Sequence, residues 1–104
     1  MGYVCGMRLE STREYRAWIE GLADAEGRWR VLRRVNRLME GHPGSHRYLG
    51  KGLFELKIVV GPGYRVYYSL HGSGRLVLLV GGDKNTQARD IRKAMELSRW
   101  FREA

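Results

Sequence analysis

Glu55, Lys57, Arg65, Tyr67 and Ser69 alternate with apolar residues on either side of Gly61-Pro62-Gly63, and their types are those that handle a phosphate ester. Lys57 and Arg65 supply positive charge that can grip a phosphate and stabilise the charge that builds on it during transfer. Glu55 offers a carboxylate base, and Tyr67 offers a ring to stack on a nucleobase or a hydroxyl to donate a hydrogen bond. Lys84 stands at the tip of a later turn from which it can reach the same face. The same alternation also describes a half-exposed sheet whose Glu55, Lys57 and Arg65 form cross-strand ion pairs, so the pattern leaves both readings open.

Elsewhere the candidates are thinner. His42 and His46 are four apart in a glycine-rich stretch with no nearby carboxylate or cysteine to complete a metal site, and His71 falls in a turn. The run GGDKNT over 81–86 lacks the glycine spacing and Gly-Lys-Ser/Thr ending of a P-loop and reads as a strand-to-helix turn. Nothing brings a Ser-His-Asp or Cys-His set together. Arg33, Arg34 and Arg37 lie with Arg28 and Arg30 on the polar side of a helical stretch, where they suit a nucleic-acid backbone or a solvated surface equally. Trp18, Trp29 and Trp100 read as packing residues.

These side chains need elements to position them. Ser11-Thr12-Arg13-Glu14 has the form of a capping box opening a helix over 11–22, with Tyr15, Trp18, Ile19 and Leu22 on one face. A second helix runs from near Asp24 to Gly41, with Val31, Leu32, Val35, Leu38 and Met39 in its apolar stripe. The short link between them predicts an antiparallel helical hairpin. Residues 41–52 read as an ordered loop. Phe54, Leu56, Ile58 and Val60, then Tyr64, Val66, Tyr68 and Leu70, form the apolar faces of a β-hairpin. A three-residue turn at 61–63 sets residue 60 against 64, 58 against 66 and 56 against 68, which puts Lys57 across from Tyr67 and diagonal to Arg65.

Residues 75–80 are apolar on both faces and predict a strand covered on both sides. Asn85 or Thr86 then caps a last helix whose inner line is Ala88, Ile91, Met95 and Ser98 or Phe101. Residues 3–9 suggest a further edge strand. The class is α+β: two N-terminal helices packed on a small antiparallel sheet with a C-terminal helix, in one domain over 1–104.

Composition narrows the partner. The chain has 104 residues, 43% hydrophobic and 29% charged, and its 19 Lys and Arg against 11 Asp and Glu leave a formal +8. That surplus favours a polyanion over a small neutral substrate. The longest apolar run, at 76–80, is far short of the roughly 20 residues a membrane helix requires, and 3–7 is too short for the core of a signal peptide. A single cysteine, Cys5, excludes an intrachain disulfide and points to a reducing cytoplasm.

Taken in order, WIEGL at 18–22, Arg34 to Leu38 before Gly41, GLFELKI at 52–58, GPGYRVYY at 61–68 and GGDKNTQARDIRKA at 81–94 resemble the HigB-like addiction module killer branch of the RelE/ParE toxin superfamily. The resemblance spans about residues 8–98. It implies a toxin of a type II toxin–antitoxin pair, restrained by a cognate antitoxin that is usually a small helix-turn-helix protein. It further implies a ribosome-dependent endoribonuclease that cuts mRNA by attack of a ribose 2′-hydroxyl on the adjacent phosphate, without a metal or other cofactor. Carried over position by position, Arg65 matches the phosphate-gripping arginine, Lys57 and Lys84 match basic positions, and Glu55 lies where some relatives keep a carboxylate base. Neither Tyr nor His follows His71, so the general acid is left unassigned. ParE-like relatives use the same fold to inhibit DNA gyrase by binding alone, which is the alternative implied activity.

Overall fold

Alternation along the strands divides the apolar side chains between two faces of one sheet, and each face acquires its own helical cover. The computed structural model describes residues 7–72 and 74–103 of the chain. Its elements, in order, are β1 (Arg8–Ser11), α1 (Arg13–Glu20), α2 (Ala25–Met39), β2 (His46–Gly50), β3 (Leu53–Ile58), β4 (Tyr64–His71), β5 (Arg75–Asp83) and α3 (Gln87–Glu103), with a 3-10 turn at Lys84–Thr86 leading into α3. The sheet order is β1-β5-β4-β3-β2. On one face Tyr15 and Ile19 of α1 and Val31, Val35 and Leu38 of α2 pack with Leu56, Ile58, Val66, Tyr68, Leu76 and Leu78. On the other, Ile91, Ala94, Met95 and Phe101 of α3 cover Leu53, Tyr67, Val77, Leu79 and Val80. The α+β class therefore stands, and β5 is covered on both sides as its composition requires.

Several details differ from the sequence reading. The sheet is mixed: β1 runs parallel to β5, with Glu10 against Val77, and a bidentate ion pair joins Glu10 to Arg75 at 3.0 Å. Residues 3–6 of the expected edge strand, and Cys5, lie outside the described residues. The stretch read as a loop contains β2, an outer strand pairing Arg47 with Glu55 and Tyr48 with Phe54. An edge strand needs only its backbone paired, so it carries no apolar alternation to betray it.

The β3–β4 register is also shifted. Ile58 pairs with Tyr64, Lys57 with Arg65 and Glu55 with Tyr67, because pairing stops at Ile58 and residues 59–63 form the connection. Gly63 N–H donates to the Val60 carbonyl at 3.0 Å there, and Gly61 and Gly63 take φ of 54° and 80°, the left-handed region open to glycine. A shift of two residues keeps every side chain on its face.

At the helix ends, Thr12 rather than Ser11 caps α1, and Asp83 rather than Asn85 or Thr86 caps the turn before α3. Leu32 and Ala88 are exposed, the inner line of α3 passing instead through Asp90, Ile91, Ala94, Met95 and Ser98.

One irregularity organises the sheet. Tyr67 pairs with Val80 but Tyr68 with Leu78, so Leu79 is an extra residue in β5. The Thr12 hydroxyl donates to the Leu79 carbonyl at 2.6 Å while accepting from the Tyr15 amide at 3.0 Å, which ties the start of α1 to the bulge. Beyond the bulge, a Cβ on Gly81 would collide with the Trp18 ring and one on Gly82 with the Asp90 carboxylate. These glycines let α1 and α3 close on opposite faces of the same strand.

Candidate functional site

Toward the β3–β4 connection, the α3-side face of the sheet is concave and basic. A cleft of about 320 Å³ is lined by Ser45, His46, Arg47, Glu55, Lys57, Arg65 and Gln87. A neighbouring hollow is lined by residues 59–63 with Lys57, Arg65, Lys84 and Asn85. Lys57 and Arg65 belong to both, so the two form one groove. Its charged lining is four cations, Arg47, Lys57, Arg65 and Lys84, against one carboxylate, Glu55.

Glu55 is the hub. Its side chain is 3% exposed, accepting from Arg47 Nε at 2.8 Å and Gln87 Nε2 at 2.9 Å, with Arg65 Nε at 3.6 Å from Oε2. Burial works to raise its pKa, but the hydrogen bonds from Arg47 and Gln87 and the charge of Arg47 outweigh that and hold the carboxyl below its ordinary value. A carboxylate so stabilised in its charged form is a weak base. Glu55 thus takes part in the cross-strand ion pairs that the sequence pattern also allowed.

Arg65 is 8% exposed and enters the groove from β4. Its Nη1 donates to the Gly63 carbonyl at 3.1 Å. That Nη1 and the Lys84 Cβ both lie within 4 Å of where a Gly63 side chain would begin, so Arg65 and Lys84 flank the same glycine. Lys57, directly opposite Arg65, is exposed, and neither Lys57 nor Lys84 joins an ion pair among the described residues. Three of the expected site residues are thus brought together with positive charge to spare.

The expected nucleic-acid contacts fare differently. Tyr67 is 0% exposed beneath α3 and has no ring face to offer a base. Its hydroxyl is pushed up by burial and by the neighbouring Glu55 charge. Arg34 is committed internally, donating to the carbonyls of Lys57 at 2.7 Å, Pro43 at 2.8 Å and Ser45 at 3.1 Å. It ties α2 to the segment before β2. Arg33 and Arg37 are exposed, but α2 covers the opposite face of the sheet, so they do not line the groove. Arg33 sits over the half-exposed Trp29 ring at 5.4 Å.

Sequence reasoning missed Arg47, Gln87 and Asn85. Arg47 was hidden because its partnership with Glu55 exists only once β2 is a strand. His46 borders the cleft, yet its register with Leu56 assigns its ring to the α2 side, and its Nδ1–H donates to the Gly44 carbonyl at 2.8 Å. Among the described residues no three His, Cys, Asp or Glu side chains are grouped to hold a metal.

No protein-family model matches the sequence. An uncharacterised protein of Haemophilus influenzae is 34% identical over 92 residues, spanning 88% of this chain and 93% of that one. Among solved structures, an arginine-to-alanine double mutant of the E. coli toxin RelE in the free state is similar, with a TM-score of 0.73 at 13% identity over 88% of this chain and 97% of that one. At that identity the likeness establishes the fold alone, an α+β domain with a five-stranded sheet and three helices.

Proposed function

We propose, starting from the fact that the chain belongs to one family with the Haemophilus influenzae protein and has the fold of RelE, that it is the toxin of a type II toxin–antitoxin pair, of the HigB-like kind. Its activity is ribosome-dependent cleavage of mRNA. The observation that carries this reading is the convergence of Arg65, Lys57 and Lys84 in a groove with one carboxylate, itself already paired.

That charge suits the reaction that the resemblance to the RelE/ParE superfamily implies. The ribose 2′-oxygen attacks the adjacent phosphorus, a new O–P bond forms, the P–O5′ bond breaks, and the products carry a 2′,3′-cyclic phosphate and a 5′-hydroxyl. The nucleophile is supplied by the substrate, so the protein contributes alignment and stabilisation of the phosphorane. Arg65 grips the phosphate with its planar fork. Lys57 and Lys84 add positive charge that eases loss of the 2′-hydroxyl proton to water and supports the departing 5′ oxygen, which takes its proton from water. Glu55 acts by positioning Arg47 and Arg65. The chain works in the cytoplasm on the ribosome, needs no cofactor, and is restrained by an antitoxin, a small helix-turn-helix protein with an acidic segment that covers the groove or the arginine side of α2. Among the described residues no helix is long and apolar enough to cross a membrane.

The test is cleavage of a translated message on purified ribosomes, with Arg65→Ala as control. Message cut by the wild type and spared by the variant supports the reading. Intact message together with blocked gyrase supercoiling replaces it with the ParE-like alternative.

A further inference from the structure

We infer that Arg47, held in place by Glu55, forms a second phosphate subsite beside the Arg65 site, so that the groove engages two successive phosphates of one RNA strand. The inference rests on the reading that this groove takes nucleic-acid phosphate, and it names a contact that reading does not require.

Arg47 crosses from the edge strand to Glu55 with its Nε, at 2.8 Å. Its side chain is 58% exposed, and its Nη groups take no hydrogen bond among the described residues. The bond to a 3% exposed carboxylate fixes the direction of a long side chain that would otherwise be free, which reduces the ordering cost of binding. A guanidinium anchored through Nε still presents both Nη edges to a ligand.

Register gives the spacing. Arg47, Glu55 and Tyr67 form one cross-strand row, while Lys57, Arg65 and Gly82 form another. The rows are two residues apart on the same face, about 7 Å along the strands. Arg65 bridges them, with Nε toward Glu55 and Nη1 toward Gly63. One phosphate on Lys57, Arg65 and Lys84 therefore leaves Arg47 unused. A phosphate one nucleotide away falls to it.

The experiment measures dissociation constants of the purified full chain for 2′-O-methylated UpU, with one phosphate, and UpUpU, with two, neither of which can be cleaved. The wild type is expected to bind UpUpU about tenfold more tightly, the gain of one charge-assisted contact. In Arg47→Ala that ratio falls to near one. Arg47→Lys restores only part of it, and Glu55→Gln lowers it by freeing Arg47. For a longer oligonucleotide the log–log salt slope of Arg47→Ala is shallower than that of the wild type by about 0.7. Circular dichroism confirms that each variant is folded. A wild-type ratio near one, or an Arg47→Ala ratio equal to the wild type, overturns the second subsite and leaves the Arg65 site standing. Failure of the wild type to bind either ligand also overturns the second subsite, while the reading it rests on stands or falls by cleavage on ribosomes.

Discussion

Replacing Glu55 with Gln separates a positioning carboxylate from a catalytic base. The substitution keeps the side chain's shape but removes its charge, and the new amide nitrogen either faces Arg47 Nε, now at 2.8 Å, or requires the Gln87 amide, now donating at 2.9 Å, to turn its oxygen inward. Arg65, with a side chain 10% exposed, loses its countercharge, whereas Arg47 is exposed enough to rehydrate. Breaking a fully buried pair from one side costs about 3–5 kcal/mol, and a single charge-assisted hydrogen bond contributes about 1.5–3 kcal/mol. With one partner in solvent, the expected loss at pH 7 is about 2 kcal/mol, or roughly 10 °C in Tm for a domain of this size.

The pH dependence follows from the direction of the shift. The folded state holds the Glu55 carboxyl below its ordinary 4.5, so its stabilisation is complete above the unfolded value and disappears as pH falls through the folded one. Thermal unfolding of wild type and Glu55→Gln at pH 7 and pH 3 is the assay. The gap in Tm should be wide at pH 7 and narrow at pH 3. An equal gap at both values, or none at pH 7, would refute the assignment of Glu55 as a charged anchor.

Other substitutions test the frame around the groove. Thr12→Ala removes a helix cap and leaves the Leu79 carbonyl without its donor, so a loss of about 2 kcal/mol is expected in denaturant unfolding, with Thr12→Ser largely restoring it. Gly82→Ala forces a methyl into the Asp90 carboxylate and the Thr86 hydroxyl, and a loss of about 1–3 kcal/mol is expected; a neutral result would mean that α3 is free to shift away from β5.

Much of this frame is legible in the sequence for a definite reason. Asp24 caps α2, and Val31, Val35 and Leu38 are buried, because capping and helical spacing are local signals. The two-sided β5 is legible because residues 76–80 have no polar face. The site is less so. Val59 and Val60 continue the apolar alternation past the end of pairing, which moves the inferred register by two residues and exchanges the partner of Lys57 from Tyr67 to Arg65. Tyr67 reads as exposed from its polar neighbours, yet the apolar line of α3 must settle on some surface, and it settles there. Arg47 has meaning only through its pairing with Glu55 across strands, a contact that no local pattern announces.

The central claim is that Arg65 and its neighbouring lysines act on a phosphate of ribosome-bound message. The most direct measurement is primer extension on a message translated in a purified system, with wild-type protein and with Arg65→Ala of matched circular dichroism. New 5′ ends with the wild type and none with the variant are the predicted result. Message left whole by the wild type, or cut equally by both proteins, contradicts it.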